Sequence, residues 1–446
     1  MSSSVILKSE EANLNSEVFL RNLLKQCESK KIVENIAIAE LIKTLRQEAV
    51  SQVLESKIPT KTDEEWRFTD LSDLLQNAFQ VAEKVAVSAD ELETYILPEA
   101  KQSRLVFVNG FYASELSDVS GLPDGVYVGN LTNLEASKTD KITKYLAQQA
   151  GKKEIFTALN TAGLSDLAAI WANNNVIVET PIHLIFLTVA PEVPIFSQPR
   201  VLVVAETSSS LQLVEHYVAI ENSLNYFTNA VTEIWVGDNA QVEHNRIQLE
   251  TNNSFHLGNS AIAQGKDSHY TCNEISLGGK LHRHNLDIFQ QGEQTETNLN
   301  GLIAISGEQV ADTHSAVHLT KPYGTTDQLH KCIIDGSAHA VFNGKVFVPK
   351  AAQLTNAAQL NRNLLLSPKA RVNTKPELQI TADNVKCSHG ATVSQLEADE
   401  LFYLRSRGLT EADARHLLID AFAAEIIERI SVNSLRQKLT QLITFG

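Results

Sequence analysis

The chain reads VGDNAQVEHNRIQL at 236–249, GKDSHYTCNEISL at 265–277, GGKLHRHNLDIF at 278–289 and GEQTETNLNGLIA at 292–304. It continues with GEQVADTHSAVHL at 307–319, GTTDQLHKCII at 324–334 and GSAHAVFNGKVFV at 336–348. Written one under another, each unit begins at a turn and ends in alternating apolar positions, the period-2 signature of a strand. Gly265, Gly279, Gly292, Gly307, Gly324 and Gly336 lie 14, 13, 15, 17 and 12 residues apart. Strand-sized runs at irregular spacing, with no helix between them, predict stacked coils of a β-solenoid. An antiparallel sandwich is the competing reading, but it needs paired tight hairpin turns, and Asn-Gly dipeptides such as Asn343-Gly344 do not recur from unit to unit.

Glycine usage extends this reading outward. No glycine occurs before Gly110, eleven lie between Val201 and Val346, and only Gly390, Gly408 and Gly446 follow. A glycine-free opening suits helices, because glycine costs about 1 kcal/mol in a helix interior. Residues 16–24 and 32–54 carry helical apolar spacing, so 1–102 reads as an N-terminal helical domain. The run LVFV at 105–108 opens a β-rich core over 103–392, with a helical insertion near 139–170 made of segments 139–150 and 154–169. Residues 393–446 read as a C-terminal helical domain. There Gly408 ends one helix, and Thr410-Glu411-Ala412-Asp413 caps a second that runs to Ile430. Leu418, Phe422, Ile426 and Ile430 recur every four residues on that helix. So wide an apolar face is covered either by the protein's own core or by a partner.

Composition excludes several function classes. Lys plus Arg is 38 against 53 Asp plus Glu, a net charge of −15, which disfavours nucleic acid and anionic membrane as partners. The most apolar run, IHLIFLTVA at 182–190, is far short of the roughly 20 residues a spanning helix needs. With no secretory leader at the N-terminus, the chain reads as soluble and cytoplasmic. Cys27, Cys272, Cys332 and Cys387 form no CxxC pair. Gly-Lys is never followed by Ser or Thr, so Walker A is absent, as are GxSxG, HExxH and GxGxxG in usable contexts. A self-contained nucleotide enzyme or hydrolase is therefore not expected. A polysaccharide-cleaving β-helix enzyme would need paired acids and usually a secretory signal.

Two groups of residues could carry chemistry. Eleven of the thirteen histidines lie between His183 and His339. His282 and His284 share one strand face by their i, i+2 spacing, and Asp312, His314 and His318 form a second group. The expectation for both groups is a polar outer face of the solenoid, with iron guidance as the functional alternative. Cys387-Ser388-His389-Gly390 is sharper: in extended chain the thiol and the imidazole point the same way, and together they could serve one site.

Asp383-Asn384-Val385-Lys386-Cys387-Ser388-His389-Gly390-Ala391-Thr392-Val393, followed by Leu401-Phe402-Tyr403-Leu404-Arg405-Ser406-Arg407-Gly408, resembles the signature of the SufB/SufD family of iron–sulfur cluster assembly proteins. Gln359-Leu360-Asn361-Arg362-Asn363 and Thr374-Lys375-Pro376-Glu377-Leu378 resemble its SufD branch, as do Pro59-Thr60-Lys61 and Glu65-Trp66-Arg67-Phe68-Thr69. The N-terminal cysteine cluster of SufB has no counterpart, since Cys27 stands alone, and Asn373-Thr374-Lys375-Pro376 stands near the place of its sulfur-handling cysteine.

The resemblance implies a mainly β fold, a right-handed parallel β-helix flanked by N- and C-terminal helical domains. It implies a non-catalytic scaffold subunit that pairs with SufB through the β-helix core. The C-terminal helices would dock SufC, an ABC-type ATPase, through Arg415, Leu418, Phe422 and Ile426. A nascent iron–sulfur cluster would form at the SufB interface, with His389 and Cys387 as its transient metal ligands here. No cofactor is expected to stay bound to the isolated chain, and a flavin belongs only to the assembled complex. In isolation the chain could form a homodimer. A structural adaptor whose Cys387 and His389 are merely packed is the alternative.

Overall fold

The computed structural model describes residues 16–30, 36–190, 192–220 and 223–443. Residues 32–35 of the second helical segment, and the first 15 residues, lie outside them.

From Ile182 to Ser394 the chain zigzags between two sheets, and from Tyr226 onward each strand pairs in parallel with the strand two before it and, until the last coil, the strand two after it. Thus Gln241–Leu249 lies between Ser210–Ala219 and His269–Ser276, and Ser254–Gln264 lies between Tyr226–Val236 and Leu281–Gln290. About seven turns stack in this way. The parallel ladders rule out the antiparallel sandwich. Each unit read from the sequence is half a coil, one strand and one corner.

A left-handed residue at one corner sets the coil length. Ser208, Asn239, Asp267, Gln294, Tyr323 and Leu354 have φ of 58°, 57°, 56°, 58°, 62° and 61° and recur every 27 to 31 residues. Each donates its N–H to a carbonyl of the next coil, for example Asn239 to Lys266 at 2.7 Å and Leu354 to Asn384 at 2.7 Å. The turn is thereby locked to its neighbour, and the left-handed backbone is tolerated in residues other than glycine.

The two ends of the solenoid differ. At the N-terminal end, the sheets finish in antiparallel strands: Phe111–Tyr112 against Arg104–Val108, and Val126–Asn130 against Ala168–Ala172. At the other end they finish in the parallel strands Arg371–Ile380 and Lys386–Ser394.

Helices cover the outer faces. Residues 16–28 and Ile36–Glu55 are helical, and Phe19 and Leu23 pack with Phe156, Phe227 and Phe255 over the first sheet. The helix expected over 154–169 is shorter, Ile155–Ala162. Glu154 caps it and Gly163 ends it, and the five buried residues Ala168–Ala172 pair as a strand with Val201–Ala205. The patch at 139–150 holds only the short turns Ala136–Thr139 and Ile142–Lys144. After the last coil come helices Ala398–Ser406, Glu411–Ile427 and Asn433–Leu442. Thr410 caps the second of these, its Oγ1 accepting the Asp413 N–H at 3.1 Å. Among the described residues no helix is long and apolar enough to cross a membrane.

Candidate functional site: the open end of the solenoid

Cys387 and His389 lie on Lys386–Ser394, the last strand of its sheet. In register, Cys387 stacks on Ala357, and His389 on Gln359. Both continue columns that face the solenoid interior. The His389 column runs back through Gln359, Gln328, Leu299, Cys272 and His244. Because no coil follows, the last strands are largely exposed where earlier ones are buried. The interior therefore opens to solvent as a mouth.

Within this mouth His389 is exposed and its ring has no partner among the described residues. Cys387 is half-buried against the core, and burial pushes its thiol pKa up. The floor beneath is polar. Gln359 Nε2 donates to Gln328 Oε1 at 2.8 Å, and Gln328 Nε2 donates to Ser315 Oγ at 2.7 Å. Gln359 Oε1, Asn363 Oδ1 and Thr374 Oγ1 are buried without hydrogen-bond partners. Such atoms cost free energy unless something arriving at the mouth satisfies them.

Behind the floor the interior carries charge that sequence reasoning placed outside. His244, His256, His282, His284 and His330 project between the sheets and are fully buried. His282 and His284 do share one face, the inner one. His244 Nε2 lies 2.9 Å from Glu215 Oε2, His256 Nδ1 2.6 Å from Glu250 Oε2, and His284 Nδ1 2.9 Å from Glu274 Oε1. Arg246 stands in register between Glu215 and Glu274, reaches His256 Nε2 at 2.6 Å and lies over the Tyr217 ring at 5.0 Å. Burial alone would raise the Glu215 pKa; the His244 hydrogen bond and Arg246 reverse this and hold it at about 2. For His330, burial pushes the pKa down to about 4, so it is neutral. Alternation shows which residues share a face. It does not show which face is inner when both are covered.

His314 and His318 do lie on the outer side, with Asp312, but the N-terminal segment covers this group. Arg283 pairs with Asp312 at 2.5 Å and lies 3.8 Å from the Trp66 ring. Thr69 also donates to Asp312, and Glu65 joins His314 and Lys345. The Glu65–Thr69 element thus acts as a clamp. Among the described residues no group of three or more His, Cys, Asp or Glu could hold a metal ion.

The C-terminal helices need one correction. Ile426 is 0% exposed and packs with Ile419, Ala423 and Ile427 on Leu302, Ile333 and Leu364 of the chain's own second sheet. Leu418 and Phe422 are half-buried on the same side, and Lys331 Nζ sits 4.2 Å over the Phe422 ring. Arg415 lines a recess with Leu366 and Leu396. The expected docking stripe therefore holds the helix to its own solenoid, and Ile426 offers nothing to a partner. The large apolar side chains the helices do expose are Phe402 (73%), Tyr403 (56%), Leu417 (47%) and, on the last helix, Leu442 (46%).

A family model for the SUF system FeS cluster assembly SufBD core domain matches residues 186–422, and one for the SufBD protein N-terminal region matches residues 19–184. The chain belongs to the SufBD family. It is 53% identical over 406 residues to an iron-sulfur cluster assembly SufBD family protein of Synechocystis sp., with 90% of each chain covered. It is 36% identical over 404 residues to protein ABCI7, chloroplastic, of Arabidopsis thaliana, covering 89% of this chain and 84% of that one. It is 30% identical over 411 residues to the iron-sulfur cluster assembly protein SufD of Escherichia coli, covering 88% and 90%. The SufBD core match takes in the mouth, the buried interior and the exposed Phe402, Tyr403 and Leu417. The clamp at Glu65–Thr69 falls within the match to the SufBD N-terminal region.

Proposed function

We propose that the chain is the SufD-type scaffold subunit of an assembly with SufB and SufC, and that nascent iron–sulfur clusters form at its open mouth. The observation that carries this is the uncapped last coil, which presents the unpartnered imidazole of His389. Exposed strand edges are templates for pairing with another chain. SufB would supply the missing coil, and a second copy of this chain could take its place in isolation. Thiolates and imidazoles are the usual protein ligands of clusters. One exposed imidazole opposite ligands of SufB would hold a cluster weakly enough to release it. Cys387, with its raised thiol pKa, must lose a proton to bind iron, so its part is auxiliary. The exposed Phe402, Tyr403 and Leu417 would receive the SufC ATPase, which supplies the nucleotide chemistry absent from this chain.

The test is His389→Ala in the co-expressed complex. Complex yield and melting temperature should stay normal, while iron and sulfide per purified complex fall sharply. Normal iron and sulfide would favour a structural adaptor instead.

A further inference from the structure

A cavity of about 380 Å³ lies on the outer face of the first sheet, away from the mouth. Its floor is a grid of side chains set by strand register. One column runs Asn259, Asn285, His314, Asn343, the next Ala261, Asp287, Ala316, Lys345, and the third contributes His318 and Phe347. Asp287 stands at the centre, with alanine on either side in its own column, so space is left around its carboxylate. Trp66 and the loop Ala150–Gly151–Lys152 form the rim. Gly151 has φ +85°, and a Cβ there would lie 4.0 Å from Asp287 Oδ2, so the loop closes down over the carboxyl.

The wall's arginines and Lys345 are already paired, and Glu154 is hydrogen-bonded. Arg200 pairs with Glu233 at 2.5 Å, Arg283 with Asp312 at 2.5 Å, and Lys345 with Glu65. Glu154 accepts the Thr157 N–H at 2.8 Å and Asn259 Nδ2 at 3.1 Å. Asp287 has no hydrogen-bond or ion-pair partner among the described residues, and exposed Lys152 at the rim forms no ion pair with it. Asn343, nine-tenths buried in the floor, has an Oδ1 without a partner. Burial and nearby Glu154 push the Asp287 pKa up to about 6, and the charges of His314 and Lys345, both already engaged by Glu65, only partly oppose this. Among the carboxyl groups lining the recess, Asp287 is thus the one with neither a hydrogen bond nor an ion pair among the described residues. Beside it His318 and Phe347 stack at 4.5 Å and 6°, and with Ala261 and Ala316 they make an apolar shelf.

We propose that this cavity binds a small organic cation, an amine or amidine whose charged end is held by the Asp287 carboxylate and whose flat or apolar part lies on the alanine and aromatic shelf. Pockets of this size with a few placed polar groups are typical of small-ligand sites.

Benzamidine and its uncharged isostere benzamide are suitable probes for calorimetric titration of the full chain. Benzamidine should bind saturably, and benzamide at least 10-fold more weakly. Asp287→Asn should cut benzamidine affinity at least 10-fold without unfolding, since no partner is lost. Ala316→Phe, which fills the recess, should abolish binding at an unchanged melting temperature. Equal binding of the two probes, no saturable benzamidine binding, or full affinity in Asp287→Asn or Ala316→Phe would overturn the proposal. So would binding confined to a lysine-bearing peptide.

Discussion

The helix Glu411–Ile427 has an inner and an outer face, and the two should separate cleanly by mutation. Ile426 is fully buried against strands that cannot move inward, because the solenoid interior lies beneath them. Replacing Ile by Ala in such a site costs 2–5 kcal/mol, and a rigid sheet leaves most of the cavity open, so about 3 kcal/mol is expected. The loss should appear as local opening of the helix before global unfolding. At about 1.4 kcal/mol per tenfold change, amide protection over 411–427 should fall roughly 100-fold in Ile426→Ala. Phe402 is 73% exposed, so Phe402→Ala should change protection less than about threefold. If Phe402 is an anchor for SufC, its loss should weaken that affinity by about 2 kcal/mol, roughly 30-fold. Hydrogen exchange on the free chain and titration with SufC read the two effects separately. Unchanged protection in Ile426→Ala would refute the inward assignment. Unchanged SufC affinity in Phe402→Ala would refute the outward one.

Three further outcomes follow from the interior, the clamp and the corners. The pKa values of His284 and His330 are depressed by burial, each to about 4, so the unfolded chain binds protons there first. Their stability contribution is complete above pH 6.5 and is lost as pH falls from 6.5 towards 4. Melting temperature should therefore drop through that window, and less steeply in His330→Gln; a flat profile would contradict neutral interior histidines. Arg283→Ala leaves buried Asp312 with His314, at 2.9 Å, as its one remaining cationic partner and should cost about 3 kcal/mol in urea unfolding, whereas a loss under about 1 kcal/mol would deny the clamp. Leu354 has φ 61°, so Leu354→Gly should be neutral or stabilising by up to about 1 kcal/mol, and a marked fall in melting temperature would contradict the left-handed corner.

Much of the fold was legible because local signals agreed. Turn residues recur before alternating strands, and the Thr410 cap forms as read. What escaped depends on three-dimensional covering. His282 and His284 share a face by parity, but only the closure of two sheets makes that face interior. Ile426 announces a buried stripe, and nothing local says that its cover is the second sheet. The helix after Glu154 stops at Gly163 because Ala168–Ala172 is recruited as a strand, a long-range pairing that overrides alanine's helix propensity. At the site, Cys387 and His389 were visible as a pair, while the polar floor of Gln359 and Asn363 follows only from register. The Asp287 recess likewise arises from residues brought together on six strands and a loop.

The central claim is that the last coil is the surface at which this chain meets SufB. Amide exchange over residues 371–394, compared between the free chain and its complex with SufB, tests it most directly. Strong protection gained in Arg371–Ile380 and Lys386–Ser394, with little change in earlier coils, is the expected result. Protection confined to other coils or to the helices, with these two strands exchanging as freely as before, would contradict it.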